Sequence, residues 1–234
     1  MKCGLVLLLG GSSKRFGSEM PKQFLNLLGR PVWTHSLMRF AGAVSGLQIV
    51  FVVSSVFRDS VISYVNQNYP DLSYRFSEPG AERQDSVLSG LNACDEDTDF
   101  VLIHDGARPN PSQSLILRLL KRCMETKNGV IPGLSVTDSV KEVDECGMIQ
   151  NSLNRQVLRV VQTPQVFVYQ RILSAYRAHV GDLSGTDDAW FALKGGNQVE
   201  VIEGEPGNFK LTMSEDLARM EKLMGVCRKT EVEE

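Results

Sequence analysis

Lys14, Arg15 and Lys22 fall within nine residues of one another, directly after the apolar run Leu5 to Leu9. Gly10 and Gly11 end that run, so a buried parallel strand is expected to stop in a turn of bare backbone amides. Cations crowded into one small loop repel each other unless an anion lies between them, which makes LVLLLGGSSKRFGSEMPK a site for polyphosphate. Pro21 stiffens the approach to Lys22 and helps aim it. Neither standard phosphate motif fits: GxGxxG counted from Gly10 needs glycine where Ser12 and Arg15 stand, and a P-loop needs Gly-Lys-Ser/Thr.

A second loop, His104-Asp105-Gly106-Ala107-Arg108-Pro109, follows another buried strand and puts a carboxylate beside a cation. Asp105 either caps a turn or, with polyphosphate nearby, holds a ribose hydroxyl or a Mg²⁺ ion; His104 reads as a buried structural residue. Glu82-Arg83-Gln84-Asp85-Ser86-Val87 opens a helix whose free amides and Ser86 serve as cap or as ligand contacts. Arg155, Thr163-Pro164-Gln165, Thr186 as a helix cap before two acids, and Lys210 in a strand are each unremarkable alone. Nucleophile-elbow serine, HExxH, Cys-His spacing and Walker A are all missing, which disfavours covalent catalysis. Cations and a metal suffice for phosphoryl and nucleotidyl transfer, where positioning and charge stabilisation carry the reaction.

These residues need a scaffold. Strands are expected at Lys2 to Leu9, Leu47 to Ser54, Leu72 to Phe76, Phe100 to His104 and Gly129 to Leu134. Helices are expected between them, at Val32 to Phe40, Arg58 to Tyr69, Ser86 to Ala93 and Ser112 to Thr126. The repeated βα units predict a single α/β domain with a Rossmann-like, doubly wound, mostly parallel sheet. Ligands of such sheets lie beyond the carboxyl ends of the strands, where the two loops fall. From Ser135 to Val161 the alternation breaks into short strand-like pieces with little apolar area, a protruding β arm (135–161) expected to lean on a second copy of the chain. Beyond it are predicted helices Tyr169 to His179 and Thr186 to Lys194, strands Gln198 to Ile202 and Asn208 to Thr212, a last helix after Ser214, and a frayed tail, Thr230 to Glu234.

Across the 234 residues, 42% are hydrophobic and 23% charged, enough for one large core. A net charge of -3 provides no surplus for extended nucleic-acid binding, so any bound anion is expected to be small. Cys3, Cys94, Cys123, Cys146 and Cys227 are odd in number and form no CxxC, which argues against a disulfide framework or structural zinc and suits a reducing cytoplasm. No apolar run approaches the roughly 20 residues of a membrane span.

Seven ordered blocks resemble one family: LGGSSKRFGSEMPKQFLNLLGRPVWTHSL, ERQDSVLSGL, VLIHDGARP, TDSVK, RQVLRVVQTPQVF, TDDA and NFKLTMSEDL. They are similar to the cytidylyltransferases of the non-mevalonate isoprenoid pathway, which join CTP and 2-C-methyl-D-erythritol 4-phosphate, and the resemblance spans nearly the whole chain. It implies a Mg²⁺-dependent transfer releasing pyrophosphate and a homodimer formed through the arm. Leu9, Gly10 and Gly11 would meet cytosine and ribose, Gly80 and Ser86 the base, and Asp105 with Gly106 the ribose or metal. Lys14, Arg15 and Lys22 would hold the triphosphate, and Arg108, Ser139, Thr163, Thr186 and Lys210 the acceptor, with Arg155 arriving from the partner's arm. Arg15, Lys22, Arg155 and Lys210 would form the catalytic set. Against the family's Ala-Ala-Gly-x-Gly-x-Arg loop, this chain has Leu9, Gly10 and Ser13 at the two alanines and second glycine; Gly106 replaces an alanine, Ser139 a threonine and Arg159 a tryptophan.

Ribitol 5-phosphate cytidylyltransferases share most of these blocks and differ on the acceptor side. A nicotinamide dehydrogenase would need a third glycine and an acid after the second strand, where Arg15 and Ser54-Ser55 stand. A non-catalytic nucleotide sensor would bind CTP without releasing pyrophosphate.

Overall fold

The alternation up to residue 134 is built as βα units in the computed structural model, which describes residues 1–11 and 20–230. In chain order the first half comprises β1 (Cys3–Leu8), β2 (Asn26–Leu27), β3 (Arg30–Pro31), α1 (Val32–Ala43), β4 (Gln48–Val52), α2 (Ser55–Asn68), β5 (Tyr74–Ser77), α3 (Arg83–Asn92), β6 (Phe100–Asp105) and α4 (Gln113–Thr126). The second half comprises β7 (Gly129–Ser135), β8 (Val140–Val143), β9 (Ile149–Leu153), β10 (Arg159–Val161), β11 (Gln165–Val168), α5 (Tyr169–Ala178), α6 (Asp188–Lys194), β12 (Val199–Glu203) and α7 (Glu215–Thr230).

Strand β1 lies between β4 and β6 and is parallel to both, Leu5 standing opposite Ile49 on one side and Leu102 on the other. A strand paired on both edges and covered on both faces must be apolar throughout, and CGLVLL is. Side-chain alternation then sorts the core into two layers. Leu5, Leu7, Ile49 and Phe51 pack with α1, α2 and α4 through Trp33, Phe40, Val61 and Leu115. Val6, Val50, Val52 and Ile103 pack on the other face with α3, α5 and α6 through Val87, Leu91, Tyr176 and Phe191. Each fully buried aliphatic or aromatic chain of this kind contributes about 1.5–3 kcal/mol relative to exposure.

The sheet is mostly parallel, with β10 and β11 running against the rest. Both lie on one edge of β7, Val161 opposite Gly133 and Val166 opposite Val130, while β12 pairs with the other edge. Within 135–161, β8 and β9 form a separate antiparallel pair, and Val143, Ile149 and Val157 are exposed. Among the described residues no helix is long and apolar enough to cross a membrane.

Four expectations need correction. Asn208 to Thr212 is extended but joins no ladder; its Leu211 N–H donates to the Ala107 carbonyl instead. Strand β10, at the end of the stretch expected as the arm, pairs with β7 in the main sheet instead, and β11 was not expected. Helix α3 starts at Arg83 rather than Ser86 and is capped by Glu82 in a reciprocal box with Asp85. Helix α6 is capped by Asp187, whose carboxylate accepts from the Trp190 N–H, so Thr186 stands outside the helix and is not its cap.

Candidate active site

Strands β1 and β6 end side by side, with the Gly106 N–H donating to the Leu8 carbonyl at 2.9 Å, so the two loops share one rim. A cleft of about 410 Å³ opens there, lined among others by Gly10, Gly11, Lys22, Gly80, Ser86, Asp105, Gly106 and Lys210. The turn after β1 is held from beneath by buried Gln23, whose amide donates to the carbonyls of Leu9 and Gly11. The floor is tight. A Cβ on Gly106 would lie 2.4 Å from Leu9 Cδ2 and 2.8 Å from the Leu8 oxygen, and one on Gly10 would lie 2.4 Å from Pro79 Cβ. Ser86 ties the facing loop, accepting from the Gly80 N–H at 3.0 Å and donating to the Glu82 carbonyl at 3.1 Å. Lys14 and Arg15, with Ser13, lie outside the described residues.

Asp105 is buried at the centre of this rim. Its Oδ1 accepts from Arg83 Nε at 3.2 Å and its Oδ2 from Lys210 Nζ at 2.7 Å. Burial alone would raise its pKa, but Arg83 and Lys210 outweigh that and hold the carboxyl well below the usual carboxylate range. Arg83 continues to Asp188, whose two oxygens accept from its terminal nitrogens at 2.8 and 2.9 Å. Lys210 is thus no solvated strand lysine, and Asp105 no simple turn cap. Each Asp105 oxygen already faces a cation, and the described residues hold no group of three His, Cys, Asp or Glu able to bind a metal. This donor set does not make a resident Mg²⁺ site, since a dication there would sit against the Arg83 guanidinium and the Lys210 ammonium.

Beneath Asp105, the Thr163 hydroxyl accepts from the Asp105 N–H at 3.1 Å and lies 3.1 Å from His104 Nδ1, while His104 Nε2 is 2.9 Å from the Arg108 carbonyl. The carbonyl requires a donor, which places the proton on Nε2 and leaves Nδ1 to accept from Thr163. Burial pushes the His104 pKa down to about 4, so the ring is neutral and structural as expected. Arg108 is turned toward Asn208, donating to its carbonyl at 2.8 Å; burial lowers its pKa against the pull of Asp105.

The structure therefore brings Lys22, Gly80, Ser86, Asp105, Gly106 and Lys210 around one cleft, with Thr163 and Arg108 packed beneath and beside Asp105. It does not bring Ser139 and Arg155 there: both line a concavity of about 460 Å³ on the arm. Arg83, Gln23, Asp188 and Tyr176 were not singled out beforehand. Arg83 stood in a quoted block at a helix start, a position where a cation opposes the helix dipole and so invites a search for its acid.

A family model described as 2-C-methyl-D-erythritol 4-phosphate cytidylyltransferase matches residues 4–226. The chain is 36% identical over 233 residues to the protein of that name from Dictyoglomus thermophilum, covering 97% of each, and 35% identical to that from Endomicrobium trichonymphae, covering 96% and 99%. Its fold is similar to the crystal structure of 4-diphosphocytidyl-2C-methyl-D-erythritol synthase from Anaerococcus prevotii, with a TM-score of 0.82 and 25% identity over 96% of this chain and 98% of that one. By sequence along nearly its whole length and by fold, the chain belongs to the 2-C-methyl-D-erythritol 4-phosphate cytidylyltransferase family.

Proposed function

We propose that the chain transfers CMP from CTP to 2-C-methyl-D-erythritol 4-phosphate, giving 4-diphosphocytidyl-2-C-methyl-D-erythritol and pyrophosphate. The observation that carries this reading is the cleft in which Asp105 is fixed between Arg83 and Lys210 at the ends of β1 and β6, facing Lys22 and the Gly10-Gly11 turn. An oxygen of the acceptor phosphate attacks the α-phosphorus of CTP; the bond to the bridging oxygen of the β-phosphate breaks, and pyrophosphate departs with the electron pair. The attacking oxygen is already anionic, so the reaction needs no general base, in keeping with a neutral, buried His104.

Lys22 and Arg15 stabilise the charge that builds on the α-phosphate and leaving group. Asp105 accepts from a ribose hydroxyl. Of the three protons on the Lys210 ammonium, one is committed to Asp105, and the others are available to the acceptor phosphate. Mg²⁺ supplied together with CTP, as part of the substrate rather than by this donor set, would neutralise phosphate charge beside Lys22 and Arg15. The acceptor side is completed by a second copy, whose arm delivers Arg155 and Ser139. Their distance from the cleft in their own chain and the exposed apolar side chains of the arm support that assembly.

The test is pyrophosphate release from CTP and Mg²⁺ with either methylerythritol phosphate or ribitol 5-phosphate. Turnover with the first is expected; exclusive use of the second, or CTP binding with no release, overturns the reading.

A further inference from the structure

Arg83 connects the two sides of the cleft. It stands in the first turn of α3, beside the Gly80 to Ser86 loop, and its Nε holds Asp105 at the ends of β1 and β6. Its terminal nitrogens form a fork on Asp188, the first residue of α6, two positions after Thr186. Asp188 is completely buried, with no exposed side-chain area. The Tyr176 hydroxyl donates to Asp188 Oδ1 at 2.6 Å, and the Tyr176 ring is stacked on Phe191 at 4.1 Å. Burial, then Asp188, push the Tyr176 phenol well above its ordinary pKa, so it remains a donor.

A buried ion pair is a poor device for stability alone, because well-packed apolar residues do as well without the desolvation cost. What this one provides is geometry. A planar guanidinium held at two nitrogens has no freedom left at its third, so the direction of Arg83 Nε, and the placement of Asp105, follow from where Asp188 sits.

We propose that Asp188 and Tyr176 are positioning residues: they fix Arg83 so that one guanidinium sets Asp105 on the nucleotide side and anchors the Thr186 end of α6 on the acceptor side. The two subsites then share one ion-paired unit, and loosening it weakens both. This rests on the transfer reading above.

Three variants test it: Tyr176→Phe, Arg83→Lys and Asp188→Asn, each assayed for kcat, for KM with both substrates, for Tm, and by calorimetry for CTP and acceptor binding. Lysine keeps the charge of Arg83 but reaches only one of the two carboxylates. Tyr176→Phe is expected to keep a near-native Tm while KM rises several-fold for both substrates. Arg83→Lys and Asp188→Asn are expected to lose about 100-fold in kcat/KM, the scale of a misplaced reacting group. Unchanged KM for both substrates in Tyr176→Phe and Arg83→Lys, or a rise confined to one substrate, overturns the proposal. Should Asp188→Asn fail to fold, the other two decide. A wild-type chain that releases no pyrophosphate defeats the transfer reading, whereas the calorimetric affinities still report on the shared unit.

Discussion

The cleft and the arm of this chain are built on opposite principles. Around the cleft, Asp105, Asp188, Arg83 and Lys210 are joined in a chain of ion pairs and hydrogen bonds, with Asp188 fully buried. The arm is built otherwise: among the described residues β8 and β9 pair only with each other, Ile149 and Val157 are 64% and 75% exposed, and Arg155 bonds to the backbone of Thr137 within the same arm. The cleft is thus organised by ion pairs within one copy of the chain. The arm presents exposed apolar side chains, among them Val143, Ile149 and Val157, the kind of surface that the proposed second copy would cover.

That contrast is broken or sharpened most strongly at Lys22 and Lys210. Either residue changed to Ala should cost about 3 kcal/mol or more in transition-state stabilisation, read from kcat/KM, and near-normal turnover would remove it from the reaction. Arg15→Ala should behave alike. Next comes acid. The unfolded chain protonates His104 near its ordinary 6.5, while the folded chain resists until about 4, so stability is fully present above pH 6.5 and falls as pH drops toward 4. The loss is about 3 kcal/mol, seen as a falling denaturation midpoint, and His104→Gln should flatten it across that window.

Arg155→Ala should lower kcat/KM by about 2 kcal/mol with no change in Tm, and mixing it with Lys22→Ala should restore activity to about a quarter of wild type, because half the mixed dimers' sites are whole. No restoration would mean that the arm acts within its own chain or not at all. The smallest effect on the single chain belongs to Ile149→Ser: at concentrations where the chain is monomeric, unfolding stability should stay within about 0.5 kcal/mol, because the side chain is exposed within its own copy, while at higher concentration the sedimentation coefficient drops toward that of a single chain.

Much of this was legible in the sequence because it is local. Runs such as Leu5 to Leu9 and Phe100 to His104 announce buried parallel strands, and a charged loop directly after each one falls at the ligand end of the sheet. What stayed hidden was non-local. Arg83 and Asp188 lie 105 residues apart, as do Asp105 and Lys210, and no spacing rule connects them. Strands β10 and β11 are too short to show a period and exist because β6 and β7 leave an open edge between them. Asn208 to Thr212 has the alternation of a strand, yet its backbone is spent on Ala107 and Arg108 rather than on a ladder. Thr186 lost the cap to Asp187 because both residue types suit that position, and Gln165 engages the Asp187 carboxylate from β11.

The close packing of Gly106 against Leu9 also limits how this sequence can change over generations. Leu9 is 1% exposed and its Cδ2 occupies the space that a methyl on residue 106 would need. An alanine at 106 would have to displace Leu9 Cδ2 and also open the 2.8 Å contact with the Leu8 carbonyl oxygen, so shrinking Leu9 relieves one clash while the backbone must still give for the other. Between a Leu/Gly floor and an Ala/Ala floor, adding the methyl first meets both clashes at once, and shrinking Leu9 first leaves only the contact with the Leu8 oxygen. The cost of a methyl at 106 therefore depends on the residue at 9, which couples the two positions as the cleft floor changes.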